Sequence, residues 1–169
     1  MSKMVGKVRS SVRSKIKSIS QIAALVASAK YSGKKVVTTN GCFDILHVGH
    51  VRSLEMAKSL GDILVVGINS DNSARLNKGA GRPVNPAAER AEIISFLAPV
   101  DYVFIFDSKT PTEWIKTIKP SIHVKGKDRK MSEIVEKKAV EMNGGIVKLL
   151  PYIKKRSTTS IIKKIISDN

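Results

Sequence analysis

Two histidines stand three residues apart around a glycine in residues 40–50, NGCFDILHVGH. This stretch follows the β-branched run KVVTT, which predicts a strand, and a helical pattern begins near Val48. His47 and His50 would then lie one turn apart on one helix face. A helix N-terminus exposes unpaired N–H groups and a partial positive charge, and Gly49 leaves room for a ligand to approach the backbone. These features predict a binding site for a polyphosphate.

The same residues allow two other interpretations. A histidine at a helix start could serve as a cap, and Cys42, His47 and His50 could be zinc ligands. Zinc needs a fourth ligand with suitable spacing, and the remaining histidine, His123, has no partner pattern. The longer pattern G-x-F-D-x-x-H-x-G-H after a strand favours phosphate binding. We therefore expect no metal site built from protein side chains.

Alternating apolar runs and helical patterns indicate the fold class. The expected strands are KVVTT, ILVVGIN, YVFIF, SIHVKG and GIVKLL. Nearly continuous apolar strands that alternate with helices predict a single α/β domain with a doubly wound parallel sheet. Helices are expected at 19–29, from near Val48, Pro86, Thr110 and Ser132, and at 158–167. Residues 70–86, SDNSARLNKGAGRPVNP, are expected to form a long loop that is either functional or disordered.

Length and composition narrow the class of protein. A chain of 169 residues with 42% hydrophobic content suits one domain. No apolar run reaches the roughly 18 residues that a membrane span needs. The single cysteine, Cys42, cannot form an internal disulfide, which fits a reducing compartment. We expect a soluble, cytoplasmic protein.

Positive charge is concentrated near the start of the chain. Thirty Lys and Arg face 14 Asp and Glu, and nine of the basic residues precede the first acidic one, Asp44. We interpret residues 1–17 as a basic, mobile extension that catalysis does not need, and residues 18–169 as the folded domain; an organellar transit peptide is the alternative. The charge also suggests nucleic-acid binding, but aromatic content is only 5% and RNA-binding motifs are absent. Such binding is expected to be nonspecific, through the extension.

The stretch TNGCFDILHVGH resembles the signature of the HIGH-motif nucleotidyltransferases, whose fold is a Rossmann-like parallel sheet. They join a nucleoside triphosphate to a phosphorylated small molecule and release pyrophosphate. VRSLEMAKSLGDILVVGINSD, KGAGRPVNPAAERAEIISFLAPVDYVFIFDSKTP, IKPSIHVKG and STTSIIKKI resemble the adenylyltransferase domain of bacterial ADP-heptose synthases. The resemblance covers residues 18–167 and implies transfer of AMP from ATP to D-glycero-D-manno-heptose 1-phosphate. It also implies a homodimer and Mg²⁺ held mainly by the nucleotide phosphates.

The resemblance further implies roles for individual residues. His47 and His50 would hold the triphosphate and stabilise the transition state, with Lys78 as a third catalytic group. Arg82 and Asn85 would bind the sugar phosphate. The nucleotide would be bound by Asn40, Gly41, Cys42, Phe43, Asp44, Gly49, Arg90, Lys125, Gly126, Asp128, Ser157, Thr158 and Thr159. For Lys78, Arg82 and Arg90 the alternative is solvated surface charge, and for Ser157 and Thr158 it is helix capping.

Nucleotidyl transfer needs in-line positioning and charge neutralisation but no enzyme nucleophile, which agrees with the lack of a Ser-His-Asp set. Cytidylyltransferases that act on glycerol or other polyol phosphates share HxGH and S-T-T, so CTP with glycerol 3-phosphate is the alternative substrate pair. The chain also departs from its relatives, with GKDR at 126–129 where G-G-D-Y is common. YIKKR precedes STT where an acidic residue and glycine are common, and both departures add positive charge.

Overall fold

A five-stranded parallel sheet forms the centre of the computed structural model, which describes residues 13–127, 130–151 and 157–167. The strand order is β3-β2-β1-β4-β5. The strands are β1 (Val36–Gly41), β2 (Ile63–Asn69), β3 (Tyr102–Phe106), β4 (Ile122–Gly126) and β5 (Ile146–Leu150). All five lie where the apolar runs predicted them, and the α/β fold class is confirmed.

Helices cover both faces of the sheet. They are α1 (Ile19–Tyr31), α2 (Val48–Lys58), α3 (Asp71–Lys78), α4 (Ala87–Ser95), α5 (Thr112–Ile118), α6 (Lys137–Met142) and α7 (Thr158–Ser167). Buried residues of α2 and α4 pack on one face, and those of α1, α5 and α6 pack on the other. In the part of the chain that the structure describes, no helix is both long and apolar enough to cross a membrane.

Residues 70–86 differ from the predicted loop, because α3 occupies their first half. The Ser70 hydroxyl accepts a hydrogen bond from the backbone N–H of Ser73 at 3.0 Å and so caps the helix. Asp71 adds an acidic side chain to the first turn, where it complements the helix dipole. Gly79 ends the helix with a φ of +98°, a conformation that favours glycine. Only residues 79–86 remain as a connection.

The helix predicted from near Ser132 begins later, at Lys137. Ser132 lies instead in a short 3₁₀ turn, Met131–Glu133. The turn ends because Ile134 is extended, with φ −85° and ψ 97°, and only 5% exposed. Burial of this apolar side chain therefore overrides the local helical pattern.

Residues 13–17, which the sequence assigned to the extension, contact the edge of the sheet. Ile16 forms a parallel bridge with Val103 and packs against the core. The backbone N–H of Lys17 donates to the carbonyl of Val103 at 2.9 Å, and the Lys15 ammonium donates to the carbonyl of Val100 at 2.8 Å. These contacts shift the start of the domain from Ser18 to about residue 13; residues 1–12 of the predicted extension lie outside the described residues.

Deletion of residues 1–17 is expected to lower the free energy of unfolding by about 1–2 kcal/mol more than deletion of residues 1–12. The longer deletion removes the apolar contact of Ile16 and the hydrogen bonds with Val103 and Val100, whereas the shorter one keeps all of these contacts. Urea unfolding of the two truncated proteins measures the difference. Equal stability would show that the pairing with β3 contributes nothing.

Candidate active site

The two histidines lie at the start of α2, beyond the carboxyl end of β1. His47 is the N-cap residue, with extended backbone angles of φ −142° and ψ 165°, and its side chain makes no cap hydrogen bond. The His47 and His50 rings stack, with centroids 3.8 Å apart and planes inclined by 19°. Both residues are half-buried. His47 therefore does not cap the helix through its side chain, and the two stacked imidazoles belong to the N-cap residue and the first turn of α2.

The imidazole of His50 is neutral near pH 7. Burial, together with the neighbouring His47, lowers the pKa of His50 to about 4. Its Nδ1 atom is buried without a hydrogen-bond partner among the described residues. The Phe43 ring lies 5.2 Å away, centroid to centroid, and supplies an apolar wall. A bound polyanion would raise the pKa of this imidazole and strengthen its hydrogen bond to the ligand.

The free energy of unfolding is expected to fall between pH 7 and pH 5, by about 1–2 kcal/mol for each histidine whose pKa is strongly lowered. The pKa values of His50 and His123 are both about 4 in the folded protein, against 6.5 normally. As the pH falls, the unfolded chain takes up protons first, so stability is lost from about pH 6.5 towards pH 4. Fluorescence of the single, buried Trp114 follows unfolding. His50→Ala should show a smaller loss than the parent, and an equal loss in both proteins would contradict the assignment.

Asp44 shapes the loop between β1 and α2. Its carboxylate accepts hydrogen bonds from Arg82 Nε at 2.6 Å and from the backbone N–H groups of Val84 and Asn85 at 2.8 and 2.9 Å. Burial alone would raise the pKa of Asp44, but these hydrogen bonds and the charge of Arg82 outweigh it and lower the pKa. The side chain of Asn85 donates to the backbone carbonyl of Asp44 at 2.7 Å. With 3% exposure, Asp44 orients residues 82–85. Its contact with the nucleotide stays a prediction.

Arg90 differs most from its predicted role. Its side chain is fully buried. Its guanidinium donates to the carbonyls of Asn85, Cys42 and Asn69 at 2.8, 2.5 and 2.8 Å, and to the Asp71 carboxylate at 2.8 Å. Arg90 therefore ties together the ends of β1 and β2 and the start of α3. Arg90 stabilises the loops of the site from the interior of the protein. It is neither a ligand contact nor a solvated surface charge.

A second helix N-terminus meets the same loop. The Thr158 hydroxyl, in the first turn of α7, donates to the backbone carbonyl of Ile45 at 3.2 Å. The Ser157 hydroxyl accepts from the N–H of Ser160 at 3.1 Å, so the capping alternative holds for Ser157. Thr159 is exposed beside them. The first turn of α7 thus contacts the loop two residues before His47, and a helix N-terminus favours a bound anion.

Cationic side chains surround this loop on the α3 side. Lys78 is exposed at the last turn of α3, and the Arg82 side chain is 17% exposed. Burial raises the pKa of the Cys42 thiol, although the charges of Arg90, Arg82 and Lys78 act in the opposite direction. These cations are therefore close enough to act on the residue that follows β1. No cluster of three or more His, Cys, Asp or Glu suited to a metal ion occurs within the described ranges.

The glycines of the site allow close packing. A Cβ atom on Gly41 would approach the Phe43 ring to 3.0 Å, so a side chain there would push on the ring that faces His50. Phe43 itself has a φ of +48°, an unusual conformation for an aromatic residue. Gly49 is buried between the two histidines, in the first turn of α2. Gly126 is exposed at the end of β4, on the same edge of the sheet.

On the β4 side, the predicted residues Asn40 and Lys125 come together with two polar residues that sequence reasoning missed, Glu136 and Thr38. Lys125 donates to Asn40 Oδ1 and forms an ion pair with Glu136, each at 2.6 Å. His123 is fully buried against Glu136 and Thr38. A histidine inside the otherwise apolar run SIHVKG was the available signal, since a buried imidazole needs a partner. Asp128, predicted to bind nucleotide, lies outside the described residues.

Comparison with known proteins identifies the family to which the chain belongs. A model of the cytidylyltransferase-like family matches residues 38–164, and the chain therefore belongs to this family. Among curated relatives, the bifunctional protein HldE of Geobacter metallireducens is 51% identical over 152 residues, which are 90% of this chain and 31% of the relative. HldE of Geotalea uraniireducens is 50% identical over 151 residues, or 89% and 31%. The chain thus spans about a third of the length of the curated relatives it matches.

Two solved structures share the architecture. A lipopolysaccharide core biosynthesis protein from Thermoplasma volcanium is 33% identical, with a TM-score of 0.61, over 73% of this chain and 100% of that one. A pantoate-beta-alanine ligase from Francisella tularensis superposes with a TM-score of 0.60 over 85% of this chain and 68% of that one. Its 18% identity makes this a likeness of fold alone.

Proposed function

We propose that this protein transfers AMP from ATP to D-glycero-D-manno-heptose 1-phosphate, forming ADP-heptose and pyrophosphate. The observation that carries the proposal is the stacked pair of His47 and His50 at the start of α2, next to the loop that the first turn of α7 contacts at Ile45. The choice of substrates is supported by about 50% identity to the HldE proteins and by likeness to a lipopolysaccharide core biosynthesis protein. It is also supported by the motif resemblance that extends over residues 18–167.

This reaction requires the protein only to bind the two substrates and to neutralise the charge that develops in the transition state. An oxygen of the sugar phosphate attacks the α-phosphorus of ATP, a new P–O bond forms, and the bond to the β-phosphate oxygen breaks as pyrophosphate leaves. The helix N–H groups and the two imidazoles would stabilise the charge that develops on the phosphorus and on the leaving group. Lys78 and Arg82 would supply further positive charge from the α3 side. Arg90 and Asp44 would hold these elements in place.

We propose that the triphosphate lies across the N-termini of α2 and α7, with Thr158 and Thr159 beside its outer phosphates. Magnesium would be bound mainly by phosphate oxygens and water, since Asp44, the buried carboxylate of the loop, is occupied by Arg82, Val84 and Asn85. The ion would neutralise part of the charge on the departing pyrophosphate.

A pyrophosphate-release assay tests the proposal with ATP, CTP, GTP and UTP, each against heptose 1-phosphate, other sugar 1-phosphates and glycerol 3-phosphate. ATP with the heptose 1-phosphate should give the highest kcat/KM, and mass spectrometry should identify ADP-heptose. Omission of Mg²⁺ should abolish release. A higher kcat/KM for CTP with glycerol 3-phosphate would assign the chain to the alternative branch, and no release with any pair would reject the enzymatic proposal.

We further propose a homodimer that works in the cytoplasm. Light scattering of the purified protein should give twice the mass of the 18.4 kDa chain. Nonspecific nucleic-acid binding through the basic start of the chain stays a prediction. It should weaken steeply with salt and also on deletion of residues 1–17, because it would come from counterion release.

A further inference from the structure

One carboxylate oxygen lies where two helices of the site begin. Asp71 is the first residue of α3, and Ala87 is the first residue of α4. The Oδ1 atom of Asp71 accepts a hydrogen bond from the backbone N–H of Ala87 at 2.8 Å and another from the Arg90 guanidinium at 2.8 Å. Asp71 and Ala87 are 16 residues apart in the chain. The Asp71 side chain therefore closes residues 72–86 into a loop whose two ends are joined.

Residues 72–86, which we call the basic arm, carry positive charge and no acidic residue. The basic residues are Arg75, Lys78 and Arg82. The arm contacts the histidine loop, residues 42–47, because Arg82 Nε lies 2.6 Å from Asp44 Oδ2. The charges of Lys78 and Arg82 also act on the Cys42 thiol. The arm thus brings two cations close to the loop that carries His47.

Apolar packing does little to hold the outer part of the arm. Residues 75–81 are all exposed, and the apolar side chains of Leu76 and Val84 are 62% and 59% exposed. Ordering an exposed segment costs conformational entropy, so its position depends on polar contacts at its ends. Asp44 provides such contacts near the end of the arm, and Asp71 joins the start of the arm to α4.

Asp71 also balances the charge of Arg90. The Arg90 side chain is fully buried, and the other oxygens to which it donates are backbone carbonyls. A buried guanidinium without a counter-ion is costly, so this ion pair keeps the Asp71 carboxylate against the first turn of α4. Closure of the arm therefore rests on a backbone hydrogen bond and on an ion pair that meet at one oxygen atom.

We propose that Asp71 is a positioning residue for phosphate binding: it closes the basic arm onto α4 and so holds Lys78 and Arg82 beside the histidine loop. The inference rests on the proposed function in taking a phosphate-bearing substrate as the ligand. In this role Asp71 touches no substrate. Its effect on a bound anion comes from the order that it gives to the arm, because an arm that is already ordered loses less entropy when phosphate binds.

Two replacements of Asp71 separate closure of the arm from charge. Asp71→Asn and Asp71→Ala remove the same negative charge, but asparagine keeps an acceptor oxygen for Ala87 and Arg90, whereas alanine keeps none. By charge alone, both variants would bind a polyanion more tightly than the parent does. We expect the Kd for inorganic tripolyphosphate, measured by calorimetry, to rise about tenfold in Asp71→Ala and not to rise in Asp71→Asn.

Glu89→Ala is the matched control for these variants. Glu89 is an exposed acidic residue in the first turn of α4, the same turn that Asp71 contacts. Its replacement removes a negative charge near the same helix end and leaves the contacts of Asp71 in place. The Kd for tripolyphosphate should therefore not rise in Glu89→Ala.

Trypsin cleavage measures the order of the arm without any turnover. Lys78 is exposed at the end of α3, and cleavage after it, identified by mass spectrometry, should be several-fold faster in Asp71→Ala than in the parent or Asp71→Asn. Lys34, exposed before β1, provides the internal reference, and cleavage there should keep its rate. In the parent protein, tripolyphosphate should slow cleavage after Lys78 and leave cleavage after Lys34 unchanged.

If Asp71→Ala does not fold, Asp71→Ser takes its place, because the serine hydroxyl ends one bond short of the carboxylate oxygen. A parent-like Kd or a parent-like rate of cleavage after Lys78 in the folded variant would overturn the inference. An equal rise of the Kd in Asp71→Asn and Asp71→Ala would also overturn it. So would a parent protein in which tripolyphosphate does not slow cleavage after Lys78.

These outcomes are independent of pyrophosphate release. A parent protein that releases none, yet shows the expected contrast between Asp71→Ala and Asp71→Asn in both measurements, would reject the proposed function and support the inference. Normal turnover of the parent, with a parent-like Kd and cleavage rate in Asp71→Ala, would reject the inference alone.

Discussion

His50→Ala is expected to lower kcat for pyrophosphate release by about a hundredfold or more while the protein stays folded. The imidazole stacks on His47 in the first turn of α2, where it would meet the charge that develops as pyrophosphate departs. Neither histidine belongs to the packed apolar clusters on the two faces of the sheet. Steady-state kinetics measures the loss, and urea unfolding tests that the free energy of unfolding is kept.

Cys42→Ser is the control for this prediction. Cys42 lies in the same loop and is half-buried, but its backbone carbonyl, not its thiol, makes the short contact to Arg90. The change should therefore cost much less turnover than His50→Ala, and His47→Ala should resemble His50→Ala. Similar small losses in all three variants, or zinc bound in stoichiometric amount, would refute the assignment of the histidines to phosphate.

Arg90→Lys is expected to destabilise the protein by about 3 kcal/mol or more and to reduce activity with it. Lysine keeps the charge but presents one ammonium in place of the planar guanidinium. The four groups that Arg90 now satisfies are fixed by different elements, so most of them would be left buried without a donor. The midpoint and slope of urea unfolding measure the effect.

Arg52→Lys makes the matched comparison. Arg52 is exposed on α2, and the same exchange there should change stability by no more than about 0.5 kcal/mol. If Arg90→Lys were as mild as Arg52→Lys, the buried guanidinium could not be what holds the ends of β1 and β2 together.

Local patterns were sufficient to predict the sheet and the position of the histidines. Each strand is a short apolar run, and β2 (residues 63–69) is buried on both faces, so the signal of a strand lies within a few neighbouring residues. The HxGH stretch likewise follows its strand directly, and parallel topology puts it at the carboxyl edge. For α3, the cap at Ser70 and the stop at Gly79 were present in the sequence but were outweighed by the glycine-rich composition of 79–86.

The roles of Arg90 and Asp44 could not be predicted in this way. Arg90 binds groups 5 to 48 residues away, and Asp44 binds groups 38 to 41 residues away. A basic residue in a helix near phosphate-binding elements has the same sequence signal whether it contacts ligand or supports the loops beneath it. The partner of His123 could not be predicted from local patterns either, because Glu136 lies in an irregular turn 13 residues later in the chain.

The contact between Thr158 and Ile45 has a consequence for synthesis on the ribosome. It joins residues 113 positions apart, so the loop that carries the histidines leaves the exit tunnel long before α7 does. A nascent chain that ends after β3 can already pair its first three strands, since β3, β2 and β1 are neighbours in the sheet. It lacks the first turn of α7, which is part of the proposed nucleotide site. We therefore expect that nucleotide does not protect from proteolysis a product that terminates before residue 158.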